Sequence, residues 1–226
     1  MGFSEKRGVI FDLDGTLWDA SSVTEKTWVE VLKNHPEVTP AVPLTGENVK
    51  LYMGLTNEEL AGIFFPDLDF PEAFGLMNES CDLENQWLPT VGGVLYDGIE
   101  DAADRLISAG YRLYIVSNCQ DGYIEAFLHA HGMESRFDDI ECSGRSGKPK
   151  GENIKDIIRR NGLDRAVYVG DTVSDSAGAR FAGIPFIYAK YGFGEHYGRG
   201  RTDDWDASVE EAHELPDAVE AIFDKQ

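Results

Sequence analysis

Residues 8–16 read Gly-Val-Ile-Phe-Asp-Leu-Asp-Gly-Thr, and the interpretation of the whole chain starts from this stretch. We predict a strand at residues 8–14, because the apolar run from Val9 to Phe11 is typical of a parallel strand that is buried on both faces. Two aspartates, Asp12 and Asp14, follow the run directly. Because ligands bind outside the carboxyl ends of the strands in an open parallel sheet, we expect both carboxylates to lie at a binding site.

Short apolar runs recur in the second half of the chain and alternate with amphipathic segments. The predicted strands cover residues 112–117, 166–170 and 184–189, with a weaker candidate at 139–143. Each predicted helix ends just before a glycine, which is common beyond a helix C-terminus. The helices cover residues 99–109, 123–131, 152–161 and 174–182. This alternation predicts an α/β fold in which a parallel, Rossmann-like sheet is covered by helices on both faces.

Residues 19–95 interrupt the alternation, because they contain helical patterns and no convincing strand. The helical patterns lie at residues 23–34, 56–64 and 71–86. A structureless loop of this length is implausible inside a compact domain. We therefore predict a second, smaller, all-helical cap domain at 19–95, hinged near 18–20 and 95–98. The catalytic core would consist of residues 1–18 and 96–226.

Polar groups also follow the second predicted strand and precede a later predicted helix. Ser117 and Asn118 end the run at 112–117, where a hydroxyl and an amide can donate hydrogen bonds to phosphate oxygens. Lys148 and Lys150 lie just before the helix at 152–161. A lysine there can offset charge on a nucleophile and on a transferring phosphoryl group. Each feature taken alone is also compatible with an ordinary turn or solvated loop.

A third strand, at 166–170, is followed by two more aspartates. Asp171 stands at the strand terminus, where it can meet Asp12 and Asp14 across the sheet. Asp175 is either part of a metal site or an acidic residue favoured by the dipole at a helix N-terminus. Unpaired buried carboxylates are costly, and Mg²⁺ prefers oxygen ligands, so a bound Mg²⁺ ion resolves that cost. A carboxylate such as Asp12 can also attack a phosphoryl group.

The chain thus contains four motifs: the first at residues 12–16, the second at Ser117 and Asn118, the third at Lys148 or Lys150, and the fourth at 170–175. In this order they resemble the signature of the haloacid dehalogenase superfamily. The insert at 19–95 resembles the helical cap of the phosphoglycolate phosphatase-like branch. Two smaller matches favour the same branch: Tyr-Asp-Gly-Ile at 96–99 and Tyr-Gly-Phe-Gly at 191–194. The resemblance covers nearly the whole chain and implies an Mg²⁺-dependent phosphatase that uses an aspartyl-phosphate intermediate.

The resemblance implies a role for each aspartate. Asp12 would attack phosphorus and bind Mg²⁺. Asp14 would protonate the leaving oxygen and then activate water, and its backbone carbonyl would be a metal ligand. Asp171 would complete the protein's share of the metal ligands, and Asp175 would support them.

The same resemblance implies phosphate-binding residues and one catalytic lysine. Lys148 and Lys150 match two different forms of the third motif, and Lys150, immediately before the helix, is the weakly favoured candidate. Positioning and charge neutralisation carry phosphoryl transfer in general, so these groups are expected close to the transferring phosphate. The predicted phosphate-binding residues are Gly15, Thr16, Ser117 and Asn118.

The cap sequence bears on the substrate. A loop that resembles the branch's specificity loop, and that is alternatively a plain helix linker, consists of Tyr52, Met53, Gly54, Leu55 and Thr56. Residues 19–95 contain 13 acidic residues, three lysines and no arginine, which gives little support for a leaving group with several negative charges. Small phosphate monoesters are therefore predicted as substrates. Phosphoglycolate is a candidate by resemblance, but its carboxylate would need a positive partner.

Composition excludes several other functions. The formal net charge of −21 disfavours nucleic acids and anionic membranes as partners. Three cysteines without a Cys-x-x-Cys pair make a disulfide framework or a structural zinc site improbable. No signal peptide or membrane span is recognised, which favours the cytoplasm. Whether the chain is a monomer or a homodimer is left open.

Other activities remain possible on the same scaffold. A sugar phosphomutase of this branch would need a cap that protects the aspartyl-phosphate from water, and no motif distinguishes it. A dehalogenase is disfavoured because that branch lacks the aspartate that Asp14 supplies, and the same residue argues against a phosphonate hydrolase. A non-catalytic binding protein is disfavoured by the intact Asp12, Asp14 and Asp171.

Overall fold

The computed structural model describes residues 5–197 and 201–225. Residues 1–4, 198–200 and 226, which the predicted core includes, lie outside the described residues. The strands in the described part are β1 (Arg7–Phe11), β2 (Trp18–Asp19), β3 (Val94–Leu95), β4 (Arg112–Ser117), β5 (Phe137–Cys142), β6 (Arg165–Gly170), β7 (Phe186–Ala189) and β8 (Ala207–Val209). Six of them form one sheet in the order β5-β4-β1-β6-β7-β8, and all neighbours are parallel.

Helices connect these strands. They are α1 (Ser21–Asn34), α2 (Gly46–Lys50), α3 (Asn57–Phe64), α4 (Phe70–Val91), α5 (Ile99–Ser108), α6 (Tyr123–His131), α7 (Ser143–Ser146), α8 (Lys150–Asn161), α9 (Val173–Ala182), α10 (Phe193–Tyr197) and α11 (Leu215–Asp224), with a short 3₁₀ turn at Ala212–Glu214. Within the described ranges, no helix has the length and apolar character needed to cross a bilayer.

The central strand β1 is buried on both faces, as its apolar run predicts. Val9 and Phe11 belong to a hydrophobic cluster with α5, α6 and α11 on one face of the sheet. Ile10 belongs to a second cluster, with α8 and α9, on the other face. The predicted α/β fold with a parallel, Rossmann-like sheet is therefore confirmed.

Some element boundaries differ from the sequence predictions. Strand β1 ends at Phe11 rather than at residue 14, because the carbonyl of Leu13 accepts hydrogen bonds from the amides of Thr16 and Leu17 in a tight turn. The weaker candidate at 139–143 is strand β5, which begins two residues earlier. Strand β8 and helix α11 are not among the predicted elements, and for β8 the reason is that a three-residue strand shows no usable periodicity.

Helices α1 to α4 lie between two short hinge strands. β2 and β3 pair antiparallel, with Trp18 opposite Leu95, so the chain leaves and re-enters the core side by side. Helices α1, α3 and α4 surround a hydrophobic cluster of their own, which includes Trp28, Phe64 and Met77. This arrangement is compatible with the predicted cap, and the domain boundaries at 19 and 95 stay a prediction.

Candidate active site

The sheet topology brings the predicted polar residues to one edge. Strand β1 pairs with β4 on one side and β6 on the other, so Asp12, Ser117 and Asp171 follow three adjacent strands. The backbone amide of Asp12 continues the ladder by donating to the carbonyl of Val169 at 2.8 Å. All three side chains are buried. The carboxyl edge of the sheet is thus where the candidate site is built.

A cluster of three buried carboxylates lies at this edge. Oxygens of Asp12, Asp171 and Asp175 all lie within 4.8 Å of one another. Among the described residues, Asp12 Oδ1 has no hydrogen-bond partner, although Lys150 Nζ is 3.0 Å away as an ion-pair partner. Carboxylate oxygens are the donors that Mg²⁺ prefers, and uncompensated buried charge is costly. The donor set therefore fits a hard divalent cation.

Burial raises the pKa of these acids. It raises the pKa of Asp12 to about 6, with the charge of Asp175 adding to the shift and Lys150 opposing it. Burial, reinforced by the charge of Asp12 and opposed by a hydrogen bond from Tyr123, raises the pKa of Asp14 to about 8. Burial and the charges of Asp175 and Asp12 also raise the pKa of Asp171. Perturbed acids that share one cleft are typical of functional sites.

The two candidate lysines have different environments. Lys150, the first residue of α8, is buried, and its Nζ lies 2.5 Å from Asp175 Oδ1 as well as 3.0 Å from Asp12 Oδ1. Gly178 on α9 leaves room for the lysine stem, since a Cβ there would lie 3.3 Å from Lys150 Cγ. Lys148 instead pairs with Asp156 at 2.6 Å on the surface. Only Lys150 of this pair reaches the carboxylate cluster.

Asp175 combines the two interpretations of its sequence position. Its Oδ2 accepts hydrogen bonds from the backbone amide and the hydroxyl of Thr172, at 2.9 and 2.7 Å, which caps the N-terminus of α9. Its Oδ1 accepts a hydrogen bond from Lys150. Capping α9 therefore also fixes the carboxylate that holds the lysine beside Asp12.

Asp171 is held from two directions. Its Oδ1 accepts a hydrogen bond from the Thr16 hydroxyl at 3.2 Å, and its Oδ2 accepts from the backbone amides of Phe193 and Gly194 at 2.8 and 3.2 Å. Gly15 lies against it with φ of +81°, and a Cβ at Gly15 would lie 2.3 Å from Asp171 Oδ2. Gly15 of the first motif and the segment at 191–194 therefore both position the side chain of Asp171.

Asp14 has a partner that sequence reasoning missed. The hydroxyl of Tyr123, the first residue of α6, donates to Asp14 Oδ1 at 2.9 Å. Tyr123 is buried, and its ring packs edge-on against Trp18 at a centroid distance of 5.6 Å. In the sequence it reads as one more apolar position of an amphipathic helix, so no local signal distinguishes it.

Asn118 connects the strand edge to the loop at 52–56. Its Nδ2 donates to the carbonyl of Gly54 at 2.9 Å, and its Oδ1 accepts from the Ser143 hydroxyl at 3.0 Å. Gly54 has φ of +87°, and a Cβ there would lie 3.1 Å from Thr172 Oγ1. The loop thus lies directly against the core. The phosphate contacts predicted for Ser117, Asn118, Gly15 and Thr16 stay predictions.

The loop lines the same cavity, of about 90 Å³, as Asp12 of the carboxylate cluster. We call its core side the floor, formed by Asp12, Asp14, Ser117 and Lys150. We call its opposite side, lined by residues of the segment 19–95, the roof, and it includes Trp28, Tyr52, Met53, Phe64 and Glu84. Gly54 and Leu55 also line the cavity, whereas the Thr56 side chain caps α3 together with Glu59. The loop is therefore both a helix linker and part of the cavity wall.

Glu84 and Gln120 were not identified from the sequence. Gln120 Nε2 donates to Glu84 Oε2 at 2.8 Å across the boundary between α4 and the core. One signal was available for the glutamate. Met77, Cys81, Glu84 and Leu88 are spaced along the buried stripe of α4, so an acid interrupts an apolar face.

Comparison with known proteins agrees with this geometry. A family model described as haloacid dehalogenase-like hydrolase matches residues 9–189. The chain belongs to the haloacid dehalogenase-like hydrolase family. The resemblance deduced from the four motifs is thus confirmed, and the predicted hydrolase class with it.

Individual relatives in this family span most of the chain. A phosphoglycolate phosphatase of Xylella fastidiosa is 29% identical over 218 residues, covering 92% of this chain and 91% of the relative. An N-acetylmuramic acid 6-phosphate phosphatase of Pseudomonas aeruginosa is 24% identical, covering 83% of each chain. A solved haloacid dehalogenase-like hydrolase of Streptococcus pneumoniae superposes with a TM-score of 0.72 at 23% identity, covering 93% of this chain and 96% of that chain.

Proposed function

We propose that this protein is an Mg²⁺-dependent phosphatase that hydrolyses small phosphate monoesters through an aspartyl-phosphate on Asp12. The observation that carries the proposal is the buried cluster of Asp12, Asp171 and Asp175, which Lys150 neutralises in part and of which Asp12 lines a cavity together with Asp14. Family membership and the phosphatase names of the similar proteins support the same reaction class.

In the first step, a carboxylate oxygen of Asp12 attacks phosphorus and the ester oxygen departs. Asp14 donates the proton that the departing alkoxide needs. Its pKa of about 8 keeps it protonated at neutral pH, and the Tyr123 hydroxyl orients its carboxyl group. Lys150, buried 3.0 Å from Asp12 Oδ1, offsets negative charge on the nucleophile and on the transferring group.

In the second step, Asp14, now ionised, takes a proton from a water molecule that attacks the phosphorus of the aspartyl-phosphate. Inorganic phosphate leaves, Asp12 is regenerated, and Asp14 is protonated again. Asp12, Asp171 and the Asp14 carbonyl would hold Mg²⁺, which when bound neutralises charge on the phosphoryl oxygens. Asp175 would keep Lys150 and the backbone around Asp171 in position.

Residues 19–95 are proposed to act as a cap over this site. Their separate hydrophobic cluster and the paired hinge strands β2 and β3 support a unit that can open and close. Closure would exclude bulk water from the phosphoryl group and would enclose the leaving group between roof and floor. Cytoplasmic location stays a prediction.

A panel of phosphate esters with and without Mg²⁺ tests this function. We expect phosphate release that requires Mg²⁺ and is abolished by a chelator. Asp12→Asn should remove it while the melting temperature is retained, and Asp67→Asn, at an exposed position, should not change it. Sugar-phosphate isomerisation without phosphate release would identify a phosphomutase instead. No turnover by the folded protein across the panel would favour a non-catalytic binding protein.

A further inference from the structure

The roof of the cavity contains one charged side chain that the proposed reaction does not use. Trp28, Tyr52, Met53 and Phe64 give this side an apolar surface. Glu84 interrupts this apolar surface. The residue is only 7% exposed, and it lines the same cavity as Asp14. A buried carboxylate in a wall whose other side chains are apolar or neutral is a strong determinant of which leaving groups fit beneath it.

The groups around Glu84 solvate it without neutralising it. Gln120 Nε2 donates to Glu84 Oε2 at 2.8 Å. Burial raises the pKa of Glu84, and hydrogen bonds from Gln120, Thr24 and Thr27 oppose that shift. Each of these donors is neutral. Because these donors favour the ionised form, Glu84 presents to the cavity a carboxylate that is stabilised by neutral groups alone, with hydrogen-bonding capacity left for a ligand.

The lysines near the cavity do not offset the charge of Glu84. Among the cavity-lining residues of the described ranges, Lys150 is the one cation, and it is paired with Asp12 and Asp175 at the floor. Of the lysines on the helices that form the roof, Lys33 pairs with Glu30, and Lys50 pairs with Asp19 and Glu47. Lys26 is exposed on α1. A second anionic group on a substrate would thus meet Glu84 without a cation to offset it.

We propose that the leaving group accepted here is a neutral alcohol that carries a further hydroxyl, which donates a hydrogen bond to Glu84. Leaving groups that carry a carboxylate, as in phosphoglycolate, are rejected by the same residue. This inference rests on the proposed phosphatase function and adds the chemistry of the leaving group to it. The small cavity favours a leaving group of a few atoms when the roof is closed.

Three esters that differ only at the far carbon test the proposal: 2-hydroxyethyl phosphate, ethyl phosphate and phosphoglycolate. For the wild-type protein we expect kcat/KM to fall in that order. Glu84→Gln removes the charge at nearly constant shape. It should lower the ratio of kcat/KM for 2-hydroxyethyl phosphate to kcat/KM for phosphoglycolate by about ten-fold or more, since juxtaposed like charges are strongly disfavoured. Glu72→Gln, exposed on the same helix α4, should leave all ratios unchanged.

Ratios measured on one preparation do not depend on how much of a variant is folded. A wild-type preference for phosphoglycolate, or a ratio that Glu84→Gln leaves within two-fold, would overturn the inference while the phosphatase function stands. The same holds if nitrophenyl phosphate is hydrolysed and none of the three esters is. If nitrophenyl phosphate is not hydrolysed with Mg²⁺ either, the proposed function fails first, and the inference falls with it.

Discussion

The floor and the roof of the cavity are built in opposite ways. On the floor, Asp12 and Lys150 are buried charges, held by Asp175 and by the ends of parallel strands. On the roof, the side chains are mostly apolar and come from α1, α2, α3, α4 and one loop, with Glu84 as the charged exception. We propose that the floor supplies the groups for phosphoryl chemistry and that the roof selects the leaving group. Changes on the floor should alter rates for every ester, and changes on the roof should alter preferences.

Replacing the proposed acid on the floor should have the largest effect. Asp14→Asn is expected to lower kcat/KM for alkyl phosphates about 10²–10⁴-fold, because an alkoxide leaving group needs a proton. The value of kcat/KM for nitrophenyl phosphate should fall much less, because nitrophenolate departs without a proton. Pre-steady-state and steady-state assays on both ester types measure this difference. Equal losses for the two would remove Asp14 from the acid role.

The two lysines provide a matched pair within one segment. Lys150→Ala should lower kcat about 10²–10³-fold for all esters, because it removes the cation beside Asp12. Lys148→Ala should have a mild effect, since Lys148 pairs with Asp156 at the surface. Circular dichroism of both variants controls for folding, because Lys150→Ala also leaves Asp175 without its ion pair. Small, equal effects would mean that the lysine of the third motif is misassigned.

The smallest expected effect concerns the roof. Met53→Ala shortens a side chain that lines the cavity and so enlarges the cavity. It should change the relative kcat/KM among esters of different leaving-group size by about ten-fold. The Mg²⁺ concentration needed for half-maximal activity should stay the same. Val29→Ala, half-exposed on α1, is the control for a general effect on this segment. A change in Mg²⁺ dependence with no change in ester preference would contradict the separate roles proposed for roof and floor.

The same contrast explains what the sequence could predict. Asp12, Asp14, Asp171 and Asp175 lie in short motifs next to apolar strands, so local sequence and sheet topology together placed them at one edge. Lys150 was favoured only weakly, because the choice depends on which lysine turns inward where α8 begins.

Contacts between distant segments carried no such signal. Tyr123 reaches Asp14 across 109 positions of sequence, and Gln120 reaches Glu84 across 36. In the sequence each looks like an ordinary residue of a helix or loop, and only tertiary packing gives it a role. The short strand β8 was missed for a related reason, since its place is set by pairing with β7 rather than by its own composition.

Covalent attachment of phosphate to Asp12 is the central claim, and chemical trapping tests it most directly. Asp14→Asn should still react with nitrophenyl phosphate and Mg²⁺ but hydrolyse the aspartyl-phosphate slowly, so that the intermediate accumulates. Acid quenching followed by borohydride reduces an acyl phosphate to an alcohol, which would convert Asp12 to homoserine. We predict that peptide mass spectrometry finds homoserine at position 12, only after incubation with the ester. Homoserine at another carboxylate, or none despite a measured burst of nitrophenol, would contradict the mechanism.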